Sequence, residues 1–321
     1  MKASQNAPAE SASTDDPTDE PEAVIAASMR EQMVPTLASL MARDERLMLV
    51  LAEISRALLE PIFQRFPKRA LNLGIMEQTA VSVAAGLALE GFIPVVHSIA
   101  PFLAERPFEQ IKDDFSYQGL GGNFISNGAS YDYSVEGMTH HGPGDVAILR
   151  TLPEMRIVVP GTPAEFDHLF RAAYASGAPT YYRLSTARNA ENQPVRFGEL
   201  AVMRRGTRAT VIAVGPSLRF VEPAVRDLDV TLLYCATVAP FDGATLRATA
   251  PNGDIVVVEP YYAGTLTPDI AAAMAPTPVR IEAIGVPRMV LSHYGTPEEH
   301  DAALGLTPAG VRARVEAFLA R

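Results

Sequence analysis

The residues best suited to chemistry gather between Leu71 and Ser185. Glu77 stands in Gly74-Ile75-Met76-Glu77-Gln78, where a strand gives way to an apolar helix. A carboxylate there suits general acid chemistry, or is simply a first-turn acid favoured by the helix dipole. His140-His141 ends the run Glu136-Gly137-Met138-Thr139-His140-His141. Adjacent residues on an extended segment point to opposite sides and no third ligand sits at metal-site spacing, so alone the pair reads as loop histidines. Phe102 and Phe108 offer ring faces for stacking, although isolated phenylalanines usually belong to a core. Gly119-Leu120-Gly121-Gly122 lacks the third glycine of a dinucleotide loop, since residue 124 is Phe, and it precedes a strand, so it reads as a turn. There is no Walker lysine motif, and Gly215-Pro216-Ser217 lacks the flanks of a nucleophile elbow.

Elements must hold these groups in place. Helical spacing over Arg30 to Ala42 precedes an apolar run of strand length, Arg46 to Ala52. The alternation continues: helix Gln78 to Leu89, strand Ile93 to His97, helix Pro107 to Tyr117, strand Gly122 to Ser126, strand Arg156 to Val159 and helix Pro163 to Ala175. Thr162-Pro163 supplies an N-cap and a first-turn proline for the last of these. A polar connector, Thr186 to Pro194, breaks the rhythm. Beyond it, Ala209 to Ala213, Asp229 to Tyr234 and Asp254 to Val258 read as buried strands, and Thr307 to Leu319 as a closing amphipathic helix. The expectation is α/β: two domains, 28–194 and 195–321, each a mostly parallel sheet flanked by helices.

The 321 residues are 48% hydrophobic with a net charge of −10, enough apolar side chain for two cores and the wrong sign for a nucleic-acid platform. Residues 1–27 carry six acids against Lys2 and read as an acidic disordered tail, without the basic start and apolar stretch of a secretory signal. The longest apolar candidate, Thr79 to Val96, is interrupted by Glu90, two glycines and a proline, so no membrane span is expected. Cys235 is the single cysteine, which excludes an intrachain disulfide and fits a cytoplasmic location.

Gly74-Ile75-Met76-Glu77-Gln78, then Phe102-Leu103 with Phe108-Glu109-Gln110-Ile111, then Glu136 to His141, then Leu149-Arg150-x-x-Pro153, resembles the pyrimidine-binding domain of transketolases in both order and spacing. Val256-Val257-Val258-Glu259 and the ending Tyr294-Gly295-Thr296-Pro297 to Gly305-Leu306 resemble the transketolase C-terminal domain. The family's diphosphate-binding domain, which holds Mg²⁺ through Gly-Asp-Gly and a later Asn, has no counterpart, since Gly253-Asp254 is followed by Ile255. The resemblance therefore implies one subunit of a split transketolase, with thiamine diphosphate shared across an α2β2 assembly. The partner α subunit would carry the diphosphate and the magnesium ion.

By that resemblance Glu77 is the acid that hydrogen-bonds the cofactor's pyrimidine ring, and its flank of Ile75, Met76 and the Ala/Val helix is expected to raise its pKa. Phe102 and Phe108 match the aromatics around the pyrimidine. Glu105 stands where an apolar or aromatic residue is usual, implying a more polar cofactor pocket. His140 matches the histidine that faces substrate hydroxyls, with His141 replacing the usual Gln and Glu136 the usual Asp. Gly128 and Thr186 occupy positions where many transketolases carry a phosphate-binding histidine and arginine. These departures imply a sugar acceptor without the standard terminal phosphate, unless Arg183, Arg188 or the partner compensates. Glu259 and the Tyr261 to Leu266 turn are expected to serve fold and assembly. Rival readings are a deoxyxylulose phosphate synthase-like carboligase, a 2-oxo acid dehydrogenase β-like subunit, and a non-catalytic scaffold.

Overall fold

The computed structural model describes residues 25–321, so most of the acidic tail lies outside the described residues. In chain order the first domain runs α1 (Met29–Arg43), β1 (Leu47–Leu51), α2 (Glu60–Arg65), β2 (Ala70–Asn72), α3 (Glu77–Leu89), β3 (Ile93–Ile99), α4 (Ala100–Ala104), α5 (Phe108–Gln110), β4 (Gly122–Asn127), α6 (Asp145–Leu149), β5 (Arg156–Val158), α7 (Pro163–Ala173) and β6 (Pro179–Arg183). The second runs β7 (Leu200–Arg204), β8 (Thr210–Val214), α8 (Leu218–Val225), β9 (Thr231–Cys235), β10 (Thr237–Ala239), α9 (Gly243–Thr249), β11 (Asp254–Tyr262), α10 (Thr267–Met274), β12 (Arg280–Val286), α11 (Pro297–Ala303) and α12 (Pro308–Leu319).

Two sheets result, ordered β10-β5-β6-β4-β3-β1-β2 and β12-β11-β8-β9-β7. All pairs are parallel except β10 with β5 and β7 with β9. The strands are apolar because helices cover both faces. In the first sheet Leu49, Leu51, Val95, Ile125 and Tyr182 face Met33 and Leu37 of α1 and Phe166 and Phe170 of α7. Val50, Val96, Phe124 and Tyr181 face the other way, toward Val81 and Ala84 of α3 and Leu103, Ile111 and Phe115. The period-2 alternation of a strand thus sorts each side chain to one core or the other.

Local chemistry starts the helices where the sequence indicates. Ser28 and Glu31 form a capping box on α1, and Thr162 accepts from the Glu165 backbone ahead of Pro163 in α7. Three features differ from expectation. The single helix expected over Pro107 to Tyr117 is a short α turn followed by a π-helical segment, Ile111–Ser116. Strand β10 lies beyond residue 195 yet adds to the first sheet, so the sheets do not divide at the connector. The tail's last residues are tied down: Arg188 donates to the Ala27 carbonyl (2.8 Å) and Gln32 accepts from the Ala26 N–H (2.7 Å). Among the described residues no helix is long and apolar enough to cross a membrane.

Candidate active site

Strands β1, β3, β4 and β6 run parallel and end on one side of the first sheet, and the segments following them build the site, as is usual for α/β sheets. Glu77 opens α3 and is 1% exposed. A buried carboxylate needs partners, and it has two: Ser98 Oγ on β3 donates to Oε1 (3.0 Å) and Arg106 Nη1 donates to Oε2 (2.7 Å). Ile75 and Met76, expected to desolvate Glu77, instead point outward at 71% and 53% exposure. The carboxylate's direct partners are therefore a hydroxyl and a guanidinium, and of the expected apolar flank only the buried Ala80 and Val81 of α3 remain.

Arg106 also stacks on Phe102, with its guanidinium carbon 4.2 Å from the ring centroid. Phe102 in turn meets His140 edge-on at 5.1 Å between centroids. His140 closes a 3-10 turn rather than lying on an extended segment, and its Nδ1 is 3.0 Å from Thr139 Oγ1. Glu77, Arg106, Phe102 and His140 form one continuous chain of contacts. No motif in the sequence marks Arg106, although it lies inside the Phe102 to Phe108 stretch, four residues after the ring it covers.

The other expected residues go elsewhere. Glu105 is exposed as a residue, but its carboxyl reaches toward Gly144, and desolvation together with the Asp145 charge raises its pKa. Phe108 packs against the apolar layer under α3 and makes no ring contact with Phe102. Glu136 is exposed, its side chain without a hydrogen bond among the described residues. His141 is buried, with neither ring nitrogen hydrogen-bonded, and faces His300 of α11 at 5.5 Å. Burial and the neighbouring His300 and His140 lower its pKa. It belongs to the contact between domains rather than to the Phe102 edge.

The loop carrying Glu136 and His140 is pinned at its base. Gly142 N donates to Ser130 O (2.7 Å), and the buried Arg183 reaches both ends, donating to Ser130 Oγ (2.8 Å) and to Gly142 O (3.5 Å). Arg183 is itself paired with the buried Asp145 (2.7 Å), which also accepts from Tyr181 Oη (2.8 Å). Burial works against the Arg183 charge, and Asp145 with Tyr181 and Asp132 together more than offset it. Arg183 is therefore committed inside the protein, whereas the exposed Arg188 donates from Nη1 to the Ala27 carbonyl and keeps its other donors toward solvent.

A cavity of about 540 Å³ opens where β1, β4 and β6 end, lined by Arg30, Ser55, Arg56, Asn127, Tyr133 and Thr186 among others, with Gly128 and Ser185 in its wall. Gly128 has φ +73°, and a Cβ there would sit 2.3 Å from the Tyr133 ring, so the ring occupies the space a side chain at 128 would need. In the second domain Glu259 is buried and accepts from the Gly264 and Leu266 backbone N–H groups (2.6 and 2.9 Å), shaping the Tyr261 to Leu266 turn. Burial pushes its pKa up to about 7. Among the described residues no His, Cys, Asp or Glu cluster has metal-binding geometry.

The transketolase pyrimidine-binding domain matches residues 26–190 and the transketolase C-terminal domain residues 198–311. The chain belongs to the transketolase family, whose members use thiamine diphosphate and a divalent metal. It is 38% identical over 308 residues to an uncharacterized 33.6 kDa protein in the fasciation locus of Rhodococcoides fascians, covering 94% of this chain and 98% of that one. It is 32% identical to the 1-deoxy-D-xylulose-5-phosphate synthase of Alkalilimnicola ehrlichii over 80% of this chain but only 42% of the synthase. A 6-deoxy-6-sulfo-D-fructose transketolase subunit of Clostridium sp. is 29% identical, with 72% of this chain and 75% of the subunit covered. Among solved structures, a split-gene transketolase described as an inactive β4 tetramer superposes with TM-score 0.80 at 26% identity, over 91% of this chain and 98% of that one.

Proposed function

We propose that this chain is the pyrimidine-binding subunit of a split transketolase-type enzyme that transfers a two-carbon ketol unit from a ketose to an aldehyde. The observation that carries the reading is the contact chain Glu77–Arg106–Phe102–His140 at the mouth of the sheet. A buried carboxylate beside a half-buried ring and an imidazole fits an aminopyrimidine, which needs an acid for its ring nitrogen and a face to stack on. Thiamine diphosphate, when bound, supplies the electron sink for breaking and making the carbon–carbon bond.

In this reading Glu77 holds a proton against the pyrimidine ring nitrogen, and Ser98 keeps the carboxyl oriented. Arg106 now bonds the carboxylate and covers the Phe102 face, so it must swing aside as the ring enters. Its side chain, 37% exposed, has room to do so. His140 orients a substrate hydroxyl, and the loop pinned by Arg183 keeps it at the edge of Phe102. The partner polypeptide contributes the diphosphate and Mg²⁺ ligands in an α2β2 assembly.

The test is coexpression with a polypeptide carrying Gly-Asp-Gly and a later Asn, followed by assay with thiamine diphosphate and Mg²⁺ against ketose and pyruvate donors. Ketose cleavage with aldehyde capture is expected, and Glu77→Ala should lower turnover by at least a hundredfold while the assembly stays intact. Near-normal turnover of that variant would overturn the role of Glu77. Carbon dioxide release from pyruvate would favour the synthase-like alternative, and an assembly inert toward both donors the scaffold.

A further inference from the structure

His97 takes no part in the proposed ketol transfer, although it is wholly buried at the centre of the first sheet, directly behind Ser55, which lines the cavity of about 540 Å³. Its Nδ1 lies 2.7 Å from the Ile125 carbonyl, which can only accept, so Nδ1 carries the proton and Nε2 a free lone pair. Ser55 Oγ is 2.8 Å from Nε2 and must donate to it. The hydroxyl's own lone pairs are thereby left for Arg30, whose Nε donates to Ser55 Oγ at 3.0 Å. Each bond in the series Ile125 O, His97, Ser55, Arg30 thus has one allowed direction.

Two further observations show that the end of this series matters. Ser55 is held at φ +67°, a left-handed conformation that costs a non-glycine residue energy and persists only when its surroundings enforce it. Arg30 lines the cavity, yet among the described residues its Nη groups make no hydrogen bond and no carboxylate pairs with it. The other cavity arginine is spent, since Arg56 pairs with Glu60 and lies 4.0 Å over Phe63.

We propose that His97 is a positioning residue for the sugar cavity: by fixing the direction of the Ser55 hydroxyl it locks Arg30 through Nε, so that the guanidinium's other edge meets the polar end of the substrate. The cavity's role as sugar site rests on the proposed ketol transfer. The hydrogen-bond series does not, so its test stands apart. A planar guanidinium fixed through one nitrogen loses little rotamer entropy on binding, which is where positioning lowers KM without touching the chemical step.

Two measurements decide it. In the full-length chain, ¹⁵N NMR of histidine and arginine side chains should show His97 as the Nδ1–H tautomer and an Arg30 Nε–H protected from exchange. That protection should vanish in Ser55→Ala and His97→Leu and return in His97→Gln, whose amide oxygen can accept the Ser55 proton. In the reconstituted pair, both disruptive variants should raise KM about tenfold for aldehydes ending in phosphate or sulfonate, with kcat within about twofold and little change for an uncharged aldehyde. The double variant should be no worse than either single one. An Nε2–H tautomer, additive effects, or equal losses for charged and uncharged acceptors would overturn the proposal. An inactive pair would count against the ketol-transfer reading alone, and the NMR arm would still decide whether His97 positions Arg30.

Discussion

Replacing Asp145 by Asn should unfold the first domain far more easily and blunt the site at the same time. Asp145 and Arg183 are 0% and 1% exposed, so neither charge can be rehydrated when its partner is lost. Asn keeps the size of Asp but loses the charge, and whichever oxygen its NH₂ replaces loses its donors: Val146 N–H at Oδ1, or Arg183 Nε and Tyr181 Oη together at Oδ2. Removing one partner of a buried pair costs about 3–5 kcal/mol, because the remaining charge stays in low dielectric. At about 2–4 °C per kcal/mol for a chain of this size, the melting midpoint should fall by roughly 10 °C. Arg183 also ties Ser130 and Gly142, so the loop that presents His140 should loosen and turnover in the reconstituted pair should drop. Replacing both partners with apolar residues, Asp145→Leu with Arg183→Met, should restore much of the stability but not the turnover, since the loop ties remain cut. Urea denaturation gives the stabilities directly. A loss below about 1 kcal/mol for Asp145→Asn would refute the idea that an uncompensated charge is what the fold avoids here.

Three other outcomes are expected. Gly137→Ala places a Cβ at φ +73° within 2.6 Å of the Tyr294 ring, so it should cost about 1–2 kcal/mol and lower turnover through His140, read by denaturation and steady-state kinetics. Tyr234→Phe removes the 2.5 Å hydrogen bond from the second domain to the buried Glu165 of α7 and should cost about 1–3 kcal/mol, whereas a loss under about 0.5 kcal/mol would mean the domains dock without it. Burial, opposed by the Ile125 hydrogen bond and aided by the Arg30 charge, holds the His97 pKa down to about 4 from 6.5. The unfolded chain therefore takes up a proton that the native one refuses, and stability present above pH 6.5 is lost as pH falls toward 4, by about 3 kcal/mol in all. His97→Gln should flatten that part of the urea-midpoint profile between pH 6.5 and 4.5, and an unchanged slope would rule out His97 as its source.

How much of this was legible beforehand depended on whether a residue's role was local. Leu47–Leu51 and Gly122–Asn127 announce themselves as buried strands, and Thr162-Pro163 as a helix start, because the relevant physics spans a few residues. Strand β6 did not: Tyr181-Tyr182-Arg183 reads as polar, yet its tyrosines split between the two cores and its arginine is paired inside. Strand β10 was hidden because its partner β5 belongs to the other domain's stretch of sequence. The Glu77 position could be read from its motif. Its partner Arg106 could not, since pairing across 29 residues depends on how α3 and α4 are set against β3. His141 looked like part of the site because it adjoins His140, whereas the 3-10 turn sends the second ring toward α11.

The two halves of the site share one strand. Successive side chains of β3 point to opposite faces, so Ser98 reaches Glu77 on the α3 side while His97 reaches Ser55 on the α1 side. Parallel pairing with β1 and β4, His97 opposite Leu51 and Ile125, fixes that register along the strand. A slip of one residue would exchange the two faces, putting an imidazole against the carboxylate and a hydroxyl against the cavity wall. The carboxylate and the cavity that Ser55 lines are therefore not independent features grafted on a scaffold. Their separation is set by the pleat of a single central strand, and the apolar neighbours Val95 and Val96, each packed in a different core, are what hold the pleat in phase.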